Sequence, residues 1–478
     1  MVLTWVDYVV IAGYLLAITA FGSWFAKFQK TTRDYFITGR SVPWWAICFT
    51  VVATETSTLS FIGVPAGAYA GNMTFLQLPL GYICGRFLVS LLFIPAYFRG
   101  ELFTSYELLQ RRFGPSVKNA AAIIFVITRT LADGIRLFAT ALVISVVTAV
   151  PVPWTIVLLG VAMIVYTVRG GVAAVIWTDV VQMFVYVAGA LAVFLALLWQ
   201  IPGGWPTVVA AADAAHKFQI FDFSLDPTKV YTFWAGLFGG IALTLATHGT
   251  DQFLVQRLLS AKSARDAGRG LILSGFIVFA QFVLFLVIGV MLYTYYQHTP
   301  LLRPLGRNDE ILPLFVVTGI PQGVSGFIVA AIVAAALSPS INALAATTVN
   351  DFYVKYIRPD ADQDRLMRLS RLATIGWGIA QIGVALGARW IDRSVLDAGL
   401  LVLSFAAGPV LGAFLTGVLI PRVESTAMLW GMIGGTLVVT YVWWTNSFAW
   451  TWYALIGAVC TSGLAVALSF VLPQRTDA

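Results

Sequence analysis

Charged side chains are scarce in this sequence, 11% of its 478 residues, where a soluble domain has about 25%. So few cannot cover a globule with polar groups, which excludes an ordinary soluble enzyme or binding module. Histidine and cysteine are equally sparse, with three residues of each. Cys48, Cys84 and Cys460 lie far apart in apolar segments. They have neither metal-ligand spacing nor the pattern of a disulfide framework, and read as small buried hydrophobes. A lipid-modifying membrane enzyme would need a cluster of nucleophile, base or metal ligands, and three dispersed histidines do not supply one. Neither an enzyme nor a bound cofactor is therefore expected. No carboxylate ring or filter-like loop suggests an ion channel. The net charge of +7 would suit nucleic acid only if the basic residues formed a patch, but they sit at the ends of apolar runs.

What the chain has is apolar length. It is 59% hydrophobic, with 16 Trp and 17 Tyr to form the interfacial belts that amphipathic rings make at lipid headgroups. A spanning helix needs about 20 apolar residues. Thirteen segments approach that: 5–26, 43–69, 76–98, 118–150, 152–168, 176–200, 231–254, 270–296, 321–350, 367–389, 396–420, 427–445 and 451–472. The first starts at Trp5 without a basic leader, so it reads as a retained helix and not a cleaved signal peptide. The longest connection, Pro202 to Lys229, carries "FDFSLDPT" and reads as an ordered extramembrane loop. If the spans alternate, one side collects 20 of the 29 Lys and Arg and the other six, with Arg86, Arg129 and Arg136 inside apolar segments. The positive-inside rule then puts the N-terminus outside and the C-terminus in the cytoplasm. No signalling module follows the last apolar segment, so transport is expected ahead of a non-transporting membrane sensor.

Two spans are interrupted. The second, "CFTVVATETSTLSFIGVPAGAYAG", places a carboxylate, clustered hydroxyls and a Gly-Val-Pro-Ala-Gly break at membrane depth; the ninth carries Ser-Pro-Ser mid-helix. Unwound backbone in a bilayer is tolerated where it lines a cavity or site, and transporters use such breaks to present carbonyls to a cation. A kink repaired by Ser and Thr hydroxyls is the plainer alternative. Charge inside a bilayer costs roughly 2.5–3.5 kcal/mol on insertion scales, so Glu55, Arg86, Arg129, Asp133, Arg136, Asp179, His248 and Asp251 stand out. Arg129 and Asp133 are spaced to pair on one helix face. Arg136, one turn on, can share that pair or face an anionic solute. His248 is either a hydrogen-bond donor or a satisfied core histidine.

Five stretches in order carry a resemblance: "ATETSTLSFIGVPAGAYAG" from Ala53, "GYICGRFLVSLLFIPAYFRGELFTSYELLQRRFG" from Gly81, "GGVAAVIWTDVVQ" from Gly170, "GTDQFLVQRLLSAKSARDA" from Gly249 and "SINALAATTVNDFY" from Ser340. The chain resembles the sodium/solute symporter family along essentially its whole length. The resemblance implies an all-α polytopic fold: a LeuT-type core of two inverted five-helix repeats, about 43–200 and 231–420. Peripheral helices 5–26, 427–445 and 451–472 would flank it, in one membrane domain spanning 1–478. It implies a secondary active symporter that imports a small organic solute with sodium by alternating access. "SINALAA" points to the branch carrying monocarboxylates, vitamins and iodide, and Arg136 to a small organic anion such as a monocarboxylate or sialate.

The implied cation site uses carbonyls of Ala53 and Thr56. Glu55 can tune or join that site, or titrate if protons are the coupling ion. Asp179 matches a second sodium site of some members, or else caps a helix start. On the ninth span, counting back from Asn342 reaches Ala335 and Ala336, which have no side-chain oxygen. A three-residue deletion would instead make Ser338 the ligand, at a rotation of about 300° for the rest of the helix. A proton-coupled or sodium-independent carrier is the alternative this raises. For the solute, Ser57, Thr58, Ser60 and Gly63 follow the break, and Thr244, Thr247 and His248 lie on the seventh span. The "TDQFLVQRLLSAKS" stretch reads as an inner gate and packing element. Sodium, the solute and the bilayer are the expected partners, with nucleic acid excluded.

Overall fold

The computed structural model describes residues 3–26, 40–99, 104–167, 172–336, 340–358, 360 and 362–472. Among them the only strand pairing is an isolated bridge between Val42 and Ala261. Helix α1 (Trp5–Ala26) precedes α2 (Trp44–Glu55) and α3 (Thr58–Ala70), two halves of one span bent by 60°. Then come α4 (Gln77–Phe98), a short amphipathic α5 (Tyr106–Phe113), α6 (Pro115–Thr148), α7 (Val152–Thr167) and α8 (Val172–Gln200). Helix α9 (Trp205–Ala214) lies in the long connection, followed by a π-turn at Ala235–Gly239, α10 (Gly240–Gly249), α11 (Gln252–Leu259) and α12 (Ala264–His298). Helices α13 (Ile311–Gly319), α14 (Val324–Ala336) and α15 (Ser340–Ala346) follow, then a second π-turn, Thr347–Tyr353, and α16 (Val354–Tyr356). The chain closes with α17 (Gln363–Ala388), α18 (Val395–Leu419), α19 (Ser425–Thr445) and α20 (Tyr453–Val471).

By length and apolarity nine of the described helices qualify as spans, and the bent α2–α3 pair makes a tenth. Of the other segments expected to span, 152–168 appears as the shorter α7 and 231–254 as the interrupted α10–α11, while 321–350 carries α14 and α15 on either side of residues outside the described set. The outer surface is what a lipid solvent selects. Trp199 is 90% exposed and Trp444 82%, and Leu16, Leu91 and Leu195 are open as well. In water such a surface would aggregate.

Small residues set the closest helix contacts, as they do where lipid removes the hydrophobic drive for association. A Cβ on Gly81 of α4 would lie 2.8 Å from Gly240 Cα of α10, so the two backbones meet directly. The same device fastens the last helix to the core, where a Cβ on Gly408 would meet Gly457 Cα at 2.8 Å.

Three expectations about breaks and loops are corrected. Gly63 to Gly67 are helical, with Pro65 inside α3, and the chain unwinds earlier at Thr56–Ser57. The Gly-Val-Pro-Ala-Gly stretch serves packing instead: a Cβ on Gly289 of α12 would collide with Pro65 O, and one on Gly63 would stand 2.6 Å from Leu396 Cβ. The seventh span is not continuous. It breaks at Thr250–Asp251, where the Asp251 carboxylate accepts from Phe253 N at 2.8 Å and caps α11; such residues compete with the helix for its own backbone groups. Arg257, which falls just past the expected 231–254 span and so among the 20 basic residues of the cytoplasmic side, is buried in α11. The Ser-Pro-Ser interruption of the ninth span lies outside the described residues.

The loops gather at two ends. At one, Asp222 N donates to Gln77 Oε1 (3.0 Å), Ala449 N to Pro227 O (2.7 Å), and Val395 N to Asp309 (3.2 Å). At the other, Val42 N donates to Ser260 O (3.1 Å), and Arg112 of α5 reaches the carbonyls of Ile420, Pro421 and Val423 beyond α18.

Candidate solute and cation site

At the α2–α3 break the backbone leaves the helix because Thr56 adopts φ −80°, ψ 80° and Ser57 an extended conformation. Ser57 N donates to Glu55 O at 3.0 Å and so does not continue the ladder to Ala53 O. An unwound turn of this kind offers oxygen ligands without placing a full charge in lipid. The Thr56 hydroxyl donates to Gln281 Oε1 of α12 (2.7 Å), and the Ser60 hydroxyl to Glu55 O (3.2 Å). Thr58 Oγ1 donates to Ile332 O of α14 (3.1 Å) and accepts from Thr140 of α6 (3.0 Å). The second and ninth spans therefore meet at the break through one hydroxyl.

Glu55 does not stand alone. Its carboxylate is paired with Arg86 of α4, whose side chain is 0% exposed. His248 Nε2 lies 3.3 Å from Arg86 Nη2 and 3.7 Å from Glu55 Oε2. Thr247 Oγ1 donates to Leu243 O (2.9 Å) and is 2.9 Å from His248 Nδ1. With the hydroxyl proton committed to Leu243, Nδ1 carries the imidazole proton and Nε2 accepts from Arg86, an assignment that follows from the network.

Asp179 sits inside α8, seven residues past its start, and is buried, so it caps nothing. Its carboxylate accepts from Thr50 Oγ1 (2.7 Å) and Arg257 Nη2 (3.0 Å), and the Arg257 guanidinium stacks on Phe253 at 4.1 Å. On α6, Arg129 Nε donates to Asp133 (3.0 Å) and its Nη1 is 3.8 Å from Asp251. Arg136 reaches Asp133 only at 4.0 Å. In this layer the four arginines Arg86, Arg129, Arg136 and Arg257 face four carboxylates, Glu55, Asp133, Asp179 and Asp251. The site region is electroneutral.

The structure thus brings Ala53, Glu55, Thr56, Ser57, Thr58 and Ser60 together on one turn, with Thr247 and His248 opposite Glu55. It separates three others. Gly63 packs on α18, where a Cβ would lie 2.6 Å from Leu396 Cβ. Thr244 packs on Gly85 of α4 in the same way, at 2.6 Å. Asp179 belongs to the Thr50–Arg257 cluster. Ala335 falls in the last turn of α14, its side chain outside the described residues, as is Ser338. Sequence reasoning missed Thr50, Thr140, Gln281 and the role of Arg257. The first three are ordinary in apolar helices and give no signal of their own. Arg257 is spaced four residues from Phe253, a pairing that was legible.

Comparison with known proteins places this geometry. The family profile described as "Sodium:solute symporter family" matches residues 35–435. The sodium/sialic acid symporter SiaT of Proteus mirabilis is 30% identical, over 95% of this chain and 92% of its own. The human sodium/iodide cotransporter is 31% identical, over 91% of this chain and 69% of its own. Mouse sodium-coupled monocarboxylate transporter 2 is 30% identical, over 92% and 71%. Among solved structures, a substrate-bound, outward-open Na+-coupled sialic acid symporter superposes with a TM-score of 0.89 at 28% identity, over 98% of both chains. A nucleobase-cation-symport-1 family transporter in a closed conformation shares the fold, with a TM-score of 0.61 at 13% identity over 91% of this chain and 94% of its own.

Proposed function

The chain belongs to the sodium:solute symporter family, and on that premise we propose that it carries a small organic anion, a monocarboxylate or sialate, inward with sodium by alternating access. The relatives named for sialic acid and monocarboxylates support that choice of solute. The observation that carries the reading is the Thr56–Ser57 break beside the electroneutral layer. A sodium ion alone, or an anion alone, would leave a net charge where desolvation costs several kcal/mol. Bound together they leave the balance unchanged, which favours joint occupancy.

In this reading sodium takes the carbonyl oxygens of Ala53 and Thr56, with Ser338 or the Ala335 carbonyl completing the site from the ninth span. Glu55, already held by Arg86, shapes the site from behind and is not a direct ligand. The solute's anionic group faces Arg136, the half-buried guanidinium with the longest ion pair in this layer. Ser57 donates to it, and Thr58, Ser60, Thr247 and His248, whose protons are committed to protein acceptors, line the pocket around it, while Gly63 and Thr244 serve as packing. Coupling is reciprocal, so the solute tightens sodium binding by the factor by which sodium tightens the solute. The repeats, about 43–200 and 231–420, rock about this site, with the N-terminus outside and the base-rich end in the cytoplasm. The proton-coupled alternative rests on Ala335 and Ala336 replacing side-chain oxygens.

Uptake of radiolabelled lactate and of N-acetylneuraminate into proteoliposomes tests the reading, under an inward sodium gradient and under potassium. Saturable uptake of either that needs sodium is expected. Uptake of neither, or uptake driven equally by a proton gradient without sodium, would overturn it.

A further inference from the structure

A cavity opens between α5, α6, α10 and α18, beside the second break; of the residues assigned above to the first site only Thr247 lines it. It is lined by Arg129 and Asp251, by the hydroxyls of Thr128, Thr247 and Thr250, and by Ala407 among apolar residues. The space open to the centre of a water-sized group is about 40 Å³, several times the roughly 10–15 Å³ that one water needs, which suits a small ligand of a few heavy atoms. The polar groups in it are matched in an unusual way. Thr128 Oγ1 donates to Ile124 O (2.7 Å), Thr247 Oγ1 to Leu243 O (2.9 Å) and Thr250 Oγ1 to Ala246 O (2.7 Å). All three protons are committed to their own helix, so toward the cavity these hydroxyls can only accept. Asp251 adds an acceptor. Arg129 is the donor: its Nη1 stands 3.8 Å from Asp251, beyond hydrogen-bond reach, and its buried Nη2 has no hydrogen-bond partner among the described residues.

An opposed pair held just out of contact, ringed by acceptors, suits a ligand that brings both a carboxylate and a donor. We infer that the Arg129–Asp251 cavity is a second solute station, taking the carboxylate of a hydroxy acid on Arg129 and its hydroxyl on Asp251 and Thr250. This rests on the proposed transport of an organic anion and adds a place and a substrate class to it. Arg129, Asp133 and Arg136 fall on one stripe of α6, seven residues from end to end, or about 10 Å of helix. A carboxylate leaving Arg136 therefore finds its next guanidinium two turns along, toward the end of the bundle where α5 lies. Asp133 between them is already bonded to Arg129 Nε and does not block Nη1 or Nη2.

The test is calorimetric titration of the full chain in nanodiscs at saturating NaCl with L-lactate and with propionate, which lacks the hydroxyl. Two lactate sites are expected, the second at least tenfold weaker for propionate, since a site built to pair a hydroxyl rejects the analogue without it. Thr250→Val removes an acceptor at constant shape and Ala407→Leu fills the cavity without touching charge. Either is expected to abolish the second site and leave the first, and to slow lactate turnover several-fold with KM within twofold. Arg136→Gln is expected to weaken the first site alone. A single lactate site, unmoved by Thr250→Val and Ala407→Leu while sodium-driven lactate uptake persists, would overturn the station and leave the transport reading intact. Absence of both binding and sodium-driven uptake for lactate and for N-acetylneuraminate would overturn both.

Discussion

Removing either partner of the Glu55–Arg86 pair isolates a charge at the centre of the bundle. Arg86 is 0% exposed and Glu55 14%; Arg86 Nη2 makes the contact, and Nε and Nη1 have no hydrogen-bond partner among the described residues. Breaking a buried pair by deleting one member costs about 3–5 kcal/mol, whereas replacing both by uncharged groups of similar volume is often near neutral. Glu55→Gln and Arg86→Met should each lower the apparent melting temperature of the detergent-purified protein sharply. The double variant should recover most of the loss, a coupling of about 3 kcal/mol or more. A sodium titration of the double variant, with choline chloride holding ionic strength, then separates two roles for Glu55. A ligand that binds only the folded state adds about 2.7 kcal/mol at 100 times its dissociation constant. If carbonyls of Ala53 and Thr56 hold the ion, that sodium-specific rise survives in the double variant. Additive losses in the two single variants would refute the pairing, and loss of the sodium response in a well-folded double variant would make Glu55 a ligand.

Thr58→Val removes the hydroxyl that bridges Ile332 O and Thr140. At about 0.5–1.5 kcal/mol per hydrogen bond, the sodium concentration for half-maximal uptake should rise roughly fivefold; no change would separate the bridge from the cation site. Asp7 of α1 accepts from Gly323 N (2.7 Å), Gly326 N (2.9 Å) and Ser325 Oγ (2.7 Å), capping α14 from outside its own chain segment. Asp7→Ala should lower thermal stability by about 1–3 kcal/mol with sodium affinity unaltered, and a shifted sodium affinity would contradict a purely anchoring role.

The spans were legible because apolar length is itself the physical requirement for crossing lipid. The α2–α3 break was legible because a cluster of hydroxyls inside such a run is costly in lipid unless it lines a cavity or a site. The resemblance put it beside Thr56, as found, but the Gly-Val-Pro-Ala-Gly stretch was misread as a break for a physical reason. Gly and Pro break helices in water, but within a bundle a neighbouring helix can exploit the same residues, as α12 does where Gly289 packs on Pro65 O. The second break was overlooked because Thr250–Asp251 contains neither Gly nor Pro; only the N-capping chemistry of Asp251 marks it. The charge pairs were half legible. Arg129–Asp133 is a matter of spacing along one helix, while Glu55–Arg86 and Asp179–Arg257 join residues 31 and 78 positions apart, which no periodicity reports. The consequence for function is large, since a carboxylate that sequence alone offers to sodium turns out to have a guanidinium already.

That consequence extends to stoichiometry. Asp179 is engaged by Thr50 and Arg257, and Glu55 by Arg86, so neither carboxylate that the sequence offers to a cation is free to hold a second one. One sodium at the Thr56 turn with one monoanion then moves no net charge. One uncompensated charge per cycle would gain about 2.3 kcal/mol from 100 mV, a roughly 50-fold change in accumulation at 1.4 kcal/mol per tenfold. Lactate accumulation in proteoliposomes should therefore be the same with and without a valinomycin-clamped potassium potential, negative inside. A potential that raised accumulation by tens-fold would mean that a second sodium enters.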